Sequence, residues 1–254
     1  MILEKLNLSG KTAFITGSSQ GIGKGIAVAF AESGATIILQ YRKGKAEVES
    51  VAREIKALGA KVYIVQADFS KSRAVAGVYK KVLSVVKQVD ILVINASVQV
   101  GDAWLNVSQK DFDIQVTTNF RSTFQLMQKF APDMISNSWG RILTIGSVQQ
   151  VKPHPAMIVY AATKSAVLNL VQNVAMQLAD QGVTVNNLAP GVIDTPRIDE
   201  KIPETDERIH KRMETPVGRL GTPEDCAAMA LLLCSDAGNF ITGQNIFVDG
   251  GMSL

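Results

Sequence analysis

Thr12-Ala13-Phe14-Ile15-Thr16-Gly17-Ser18-Ser19-Gln20-Gly21-Ile22-Gly23-Lys24-Gly25-Ile26-Ala27 passes from an apolar run of strand length, through glycines, into helical apolar spacing. Gly17, Gly21 and Gly23 permit a tight turn and let backbone come close to a pyrophosphate at a helix N-terminus. A glycine-rich turn alone says little. Placed directly after a strand and directly before an amphipathic helix, it points to dinucleotide binding.

Outward from this unit the alternation continues. Strand-length runs recur at Thr12 to Thr16, Thr36 to Tyr41, Lys61 to Gln66, Asp90 to Asn95, Arg141 to Ile145, Thr184 to Leu188 and Asn245 to Val248. Helical patterns fill the gaps at Ile22 to Ser33, Ala46 to Leu58, Ala74 to Lys87, Gln109 to Phe130, Met157 to Asp180 and Pro223 to Cys234. The last has Thr222 as N-cap and Pro223 at its first position. Strands apolar on both faces, alternating with helices, predict a doubly wound, Rossmann-like α/β fold: one parallel sheet of about seven strands with helices on both faces. The length suits a single domain over residues 1–254. Residues 190–221 carry Pro196, Pro203 and Pro216 among many charges, and their length predicts a lid over the substrate.

Composition excludes several classes. No apolar run approaches the roughly 20 residues of a membrane span, and Met1 to Lys11 lacks the features of an export signal, so a cytoplasmic protein is expected. The net charge of +3 is scattered, without a basic, aromatic-bearing block, so nucleic acid is not an expected partner. Cys226 and Cys234 fall in one helical stretch and read as small buried hydrophobes. His154 and His210 lie far apart with no ligand pattern, so no metal is expected.

In a doubly wound sheet, ligands bind beyond the carboxyl ends of the strands. Asp68, Asn95-Ala96, Ser147 and Pro190-Gly191 all follow strands, and Tyr160 and Lys164 lie four apart, on one helix face. A phenol ordinarily has a pKa of about 10. An ammonium about 4 Å away is worth roughly 4 kcal/mol at an effective dielectric of about 20. At about 1.4 kcal/mol per unit, that is enough in principle to bring proton exchange at Tyr160 close to neutral pH, where it could give a proton to a carbonyl or take one from an alcohol. Ser147 could supply a second hydrogen bond to the reacting oxygen.

Thr16-Gly17-x-x-x-Gly21-x-Gly23 with Tyr160-x-x-x-Lys164, and with Asp68, Asn95-Ala96, Asn119, Ser147 and Pro190-Gly191 in order between and after them, resembles the classical short-chain dehydrogenase/reductase family over nearly the whole chain. The resemblance implies a nicotinamide-dependent oxidoreductase with Asn119, Ser147, Tyr160 and Lys164 as the catalytic set. It implies a cofactor lying along Gly17, Ser19, Gln20, Gly21, Ile22 and Gly23, with Asp68 and Phe69 at the adenine. Asn95, Ala96, Tyr160, Lys164, Pro190, Gly191, Ile193 and Thr195 would stand nearer the nicotinamide. Asn119 would support a water-mediated proton path to Lys164. The terminal segment Ile241 to Gly251 is similar to one that packs across a tetramer interface, so a homotetramer is implied.

At the end of the second strand Tyr41 stands where NAD-using relatives carry an acid, and Arg42 and Lys43 follow. A guanidinium grips a phosphate through two parallel hydrogen bonds, so NADP is expected ahead of NAD. Gln20, where many NADP-using relatives are basic, argues the other way. Ser97 replaces the glycine that ends the family's Asn-Asn-Ala-Gly pattern.

Many relatives reduce 3-oxoacyl groups on an acidic carrier protein, with basic residues around the pocket mouth. Ser136, Asn137, Ser138, Met176, Gln177 and Gln181 stand where several of those bases are expected. Gln99, Gln149, Gln150, His154 and Arg197 are candidate pocket residues suited to a small polar ketone or alcohol, such as a sugar acid or polyol. A 3-oxoacyl-(acyl-carrier-protein) reductase is the alternative enzyme, and a non-catalytic nicotinamide-binding regulatory protein the alternative of another class.

Overall fold

The computed structural model describes residues 1–199, Pro203, Glu207 and 214–254. Among the described residues, seven strands form one sheet: β1 (Thr12–Ile15), β2 (Thr36–Tyr41), β3 (Val62–Gln66), β4 (Ile91–Ile94), β5 (Gly140–Ile145), β6 (Val183–Pro190) and β7 (Asn245–Val248). Their spatial order is β3-β2-β1-β4-β5-β6-β7, and every neighbouring pair runs parallel. The chain reverses its direction of travel across the sheet between β1 and β4, which opens a crevice above their carboxyl ends.

Strand periodicity assigns the two cores. Ala13, Ile15, Ile37 and Leu39 point to one face, where α1 (Gly21–Glu32) and α2 (Lys45–Ala57) cover them. Phe14 and Ile38 point to the other, under α3 (Ala74–Leu83), α5 (Ser122–Ser136) and α6 (Ile158–Leu178). A last helix, α7 (Pro223–Cys234), returns to the first face and packs against α1, burying Cys226 and Cys234, whose thiols burial pushes up to about 12. Thr222 caps α7: its hydroxyl accepts the Asp225 N–H, and the Asp225 carboxylate accepts the Thr222 N–H at 2.8 Å.

The helical stretch expected over Gln109 to Phe130 is not one helix. It divides into α4 (Gln109–Gln115), a π-helical segment (Val116–Arg121) and α5, which runs on to Ser136. The hydroxyls of Ser122 and Thr123 bond back to the carbonyls of Thr118 and Asn119 at 2.5 and 2.7 Å, supplementing the widened ladder. Helix α3 ends at Leu83 rather than Lys87, and a 3-10 turn (Ala179–Gln181) replaces the expected end of α6. Within 190–221, the structure describes a 3-10 turn at Pro196–Asp199 and a bridge between Ile193 and Gly221. The rest of the expected lid, residues 200–202, 204–206 and 208–213 with His210 among them, lies outside the described residues.

Candidate active site

The turn after β1 is tied to the end of β4. Thr16 Oγ1 accepts the N–H groups of Asn95 (2.9 Å) and Ala96 (3.0 Å), and Asn95 Nδ2 donates to the carbonyls of Thr16 (3.0 Å) and Gly17 (2.9 Å). Gly17 and Gly21 adopt φ of +64° and +57°. A Cβ on Gly23 would overlap the Gly17 carbonyl, so this glycine lets α1 start close against the turn. Gln20 precedes α1 without a side-chain cap, which leaves the first N–H groups of the helix available to an anion.

These elements form one wall of a cleft of about 810 Å³. Gly17, Ser19, Gln20, Gly21 and Ile22 line it; Gly23 lies behind them. At one end stand Arg42, Lys43, Asp68 and Phe69. Burial pushes the Asp68 carboxyl up, but the hydrogen bonds from Ser70, with Arg42 and Lys71 nearby, outweigh it and hold the group below its ordinary value. Tyr41 is not on the wall. The two-residue strand period turns it with Ile37 and Leu39 into the core, 8% exposed. Its neighbour Gln40, which sequence reasoning missed, lines the cleft instead and clamps the turn: its Oε1 accepts the Gly17 N–H and its Nε2 donates to the Ala67 carbonyl, both at 2.8 Å. A lone amide in the apolar run Thr36-Ile37-Ile38-Leu39-Gln40-Tyr41 was the available signal.

At the other end the cleft meets Ser147, Tyr160 and Lys164, with Asn95, Ala96, Pro190, Gly191, Ile193 and Thr195 around them. Ser147 follows β5, and its hydroxyl accepts the Gln149 N–H at 3.2 Å. Tyr160 and Lys164 project from α6, each 5% exposed, with the ammonium 5.4 Å from the phenol ring centre. Lys164 Nζ donates to the Ile145 carbonyl at 2.6 Å. Burial, with the positive charge of Arg197 second, pushes the Lys164 pKa down to about 7.

Asn119 sits on the π-helical segment and does not line the cleft. Its side chain is committed elsewhere: Oδ1 accepts the Val98 N–H at 2.8 Å, while Nδ2 donates to the Val98 carbonyl at 2.8 Å and to Thr163 Oγ1 at 3.1 Å. It braces the loop after β4. Gln150 is likewise a brace, bonding the Lys164 carbonyl at 2.9 Å and Asn187 at 3.2 Å. Gln99, Gln149, His154 and Arg197 do line the reacting end, and Gln149 Oε1 accepts the His154 N–H at 2.6 Å. Val98, Met157, Val192 and Met252 also line the wall and were not anticipated. Among the described residues, no group of His, Cys, Asp and Glu could hold a metal ion, and no helix is long and apolar enough to cross a membrane.

A switch-point crevice with a glycine cradle, an open helix N-terminus and a buried tyrosine–lysine pair has the form of a dinucleotide-dependent oxidoreductase site. The family model described as enoyl-(acyl carrier protein) reductase matches residues 17–253. A 3-oxoacyl-(acyl-carrier-protein) reductase of Staphylococcus aureus is 34% identical over 244 residues, covering 96% of this chain and 98% of the relative. A solved 3-oxoacyl (acyl-carrier-protein) reductase of Agrobacterium tumefaciens with NADP bound superposes with a TM-score of 0.90 at 37% identity, covering 98% of this chain and 97% of the other. A protein assigned as an NAD(P)-dependent gluconate 5-dehydrogenase from Beutenbergia cavernae gives a TM-score of 0.88 at 34% identity, covering 98% of both. The chain belongs to the classical short-chain dehydrogenase/reductase family, and is an NAD(P)-dependent enzyme acting on CH–OH and C=O groups.

Proposed function

We propose that the enzyme moves a hydride between NADP(H) and a carbonyl or alcohol carbon of a small polar molecule such as a sugar acid or polyol. The observation that carries this reading is the set of polar side chains Gln99, Gln149, His154 and Arg197, which line the same cleft as Ser147, Tyr160 and Lys164. The glycine cradle and the open N-terminus of α1 suit a pyrophosphate. Arg42 suits the 2′-phosphate, and Asp68 with Phe69 the adenine. When bound, the nicotinamide supplies or accepts the hydride. In reduction, the Tyr160 hydroxyl gives its proton to the substrate oxygen while Ser147 donates a second hydrogen bond; in oxidation, Tyr160 takes the proton. Lys164 holds the nicotinamide ribose and sits beside the phenol. Asn119 acts through the Val98 loop.

The Agrobacterium structure with NADP supports the cofactor choice. Arg42→Ala should weaken NADPH far more than NADH in fluorescence titrations; equal weakening would remove Arg42 from that role. The relatives in Staphylococcus and Agrobacterium favour a second reading, reduction of carrier-linked 3-oxoacyl groups. Against it, Ser136, Asn137, Ser138, Met176 and Gln177 are exposed and uncharged. Turnover of polar ketones, sugar acids, polyols and 3-oxoacyl thioesters, each with both cofactors, separates the two. Preferred turnover of a polar small molecule with NADP(H) supports the first reading, and preferred thioester turnover replaces it.

We further propose a single domain over 1–254, with 190–221 closing on the substrate, and a cytoplasmic homotetramer. An apolar hollow between α4, the π-helical segment and α6 supports the assembly.

A further inference from the structure

Arg197 and Ser97 lie 100 residues apart in sequence and meet in the cleft. Arg197 Nη1 donates to Ser97 Oγ at 2.9 Å and Nη2 donates to the Ser97 carbonyl at 3.0 Å. Ser97 is itself held, because the next residue, Val98, is clamped on both its N–H and its carbonyl by Asn119. A guanidinium has five N–H donors, so this seat leaves donors over. Arg197 makes no ion pair with any described residue. Among the described residues lining the cleft, the acids are Glu47 and Asp68, both at the Arg42 end. Among the described residues, the reacting end therefore brings Lys164 and Arg197 together without a carboxylate. Donors left over on a half-buried guanidinium that shares the cleft with Lys164 suit an anionic ligand.

We propose that Arg197, seated on Ser97, binds the carboxylate of a hydroxy or keto acid at the reacting end, so that the enzyme selects acids over uncharged polyols and sugars. This inference rests on the small-polar-substrate reading above and narrows it to one chemical class. The serine that replaces the family's glycine thus acquires a purpose: its hydroxyl and carbonyl fix the orientation of the guanidinium fork, which recognises a planar carboxylate.

The test uses a panel of aldonates and uronates, each matched with the alditol or sugar of the same carbon number. Turnover is measured with wild type, Arg197→Met and Arg197→Lys, and binding is measured as quenching of protein-bound NADPH fluorescence by the aldonates. Wild type should prefer the acids. Arg197→Met should cut the acid-to-neutral preference by roughly 10- to 100-fold, the worth of a charge-assisted hydrogen bond, mainly through KM and with aldonate quenching lost. Arg197→Lys should restore part of both. Wild type turning over polyols as well as acids overturns the inference and leaves the small-polar reading standing. Inactivity across the whole panel together with turnover of 3-oxoacyl thioesters overturns that reading as well. An equal loss for acids and neutral partners, or a loss confined to NADPH affinity, also overturns it, assigning Arg197 to loop shape or to the cofactor.

Discussion

Lys164 is an ammonium in a place where charge is expensive. Its ordinary pKa of 10.5 falls to about 7 because burial penalises the charged form, with Arg197 adding repulsion. The unfolded chain holds this proton up to the ordinary value, whereas the folded chain releases it near 7. Between those limits the unfolded state binds more protons, so stability rises with pH, and the destabilisation is fully present below about 7. In cofactor-free protein, the stability of wild type minus that of Lys164→Met should therefore grow as pH climbs from about 7 towards 10, by on the order of a few kcal/mol. Taking the difference cancels Cys226 and Cys234, whose raised thiol pKa values act in the opposite sense at higher pH. Parallel urea-midpoint curves would show that Lys164 does not titrate there. Tyr160→Phe addresses the partner: it keeps the ring in the packed wall but removes the proton, so NADPH binding should survive while turnover falls by roughly 100-fold or more. Near-normal turnover would take Tyr160 out of the proton step. These two residues were legible in the sequence because a four-residue spacing on a helix means one face. Arg197 on Ser97 was not legible as a pair, since only the folded chain brings together residues 100 positions apart.

At the scale of elements, the strand–turn–helix unit from β1 to α1 depends on how closely the helix can start. A Cβ at Gly23 would overlap the Gly17 carbonyl and come 2.6 Å from Asn95 Nδ2, both parts of the seam to β4. Gly23→Ala should push α1 outward, costing about 1–3 kcal/mol of stability by overpacking and weakening NADPH by more than tenfold. Thermal melts and fluorescence titration report the two effects separately, and unaltered NADPH affinity would mean that the start of α1 does not shape the cradle. This unit and the seven strands were readable because glycine position and apolar period are local properties. The π-helical segment was not, because its apolar spacing continues that of the helices around it. What distinguishes it is distant: Asn119 bonds Val98 across the loop after β4. Gln40 and Tyr41 show the same limit within one strand, where sequence fixed attention on the terminal residue but the two-residue period sends that residue inward and its neighbour to the cleft.

Across the whole molecule, the cleft does not exhaust the exposed features. A hollow of about 520 Å³ is lined by Trp104, Val107, Phe112, Val116, Phe120, Ile158, Ala162 and other largely apolar residues. Trp104, Phe112 and Ile158 remain 67%, 45% and 48% exposed, and Phe240 in the loop before β7 is 100% exposed. Large apolar side chains clustered on a surface mark association sites. Exposed apolar side chains of this kind suit the interfaces that a tetramer of dihedral symmetry requires. The floor of the hollow is α6 itself: Ile158, Val159, Ala162 and Thr163 face it, while Tyr160 and Lys164 from the same turns face the cleft. Covering the hollow would thus hold the helix that carries the reacting pair. Phe112→Glu places a charge in the hollow from α4, away from Tyr160 and Lys164. In sedimentation velocity at micromolar concentration, wild type should run as a tetramer and this variant as smaller species, with a turnover that recovers as protein concentration is raised. A wild type that sediments as a monomer would refute the assembly, and dissociation of the variant without loss of turnover would show that α6 holds its reacting pair in place without a neighbour.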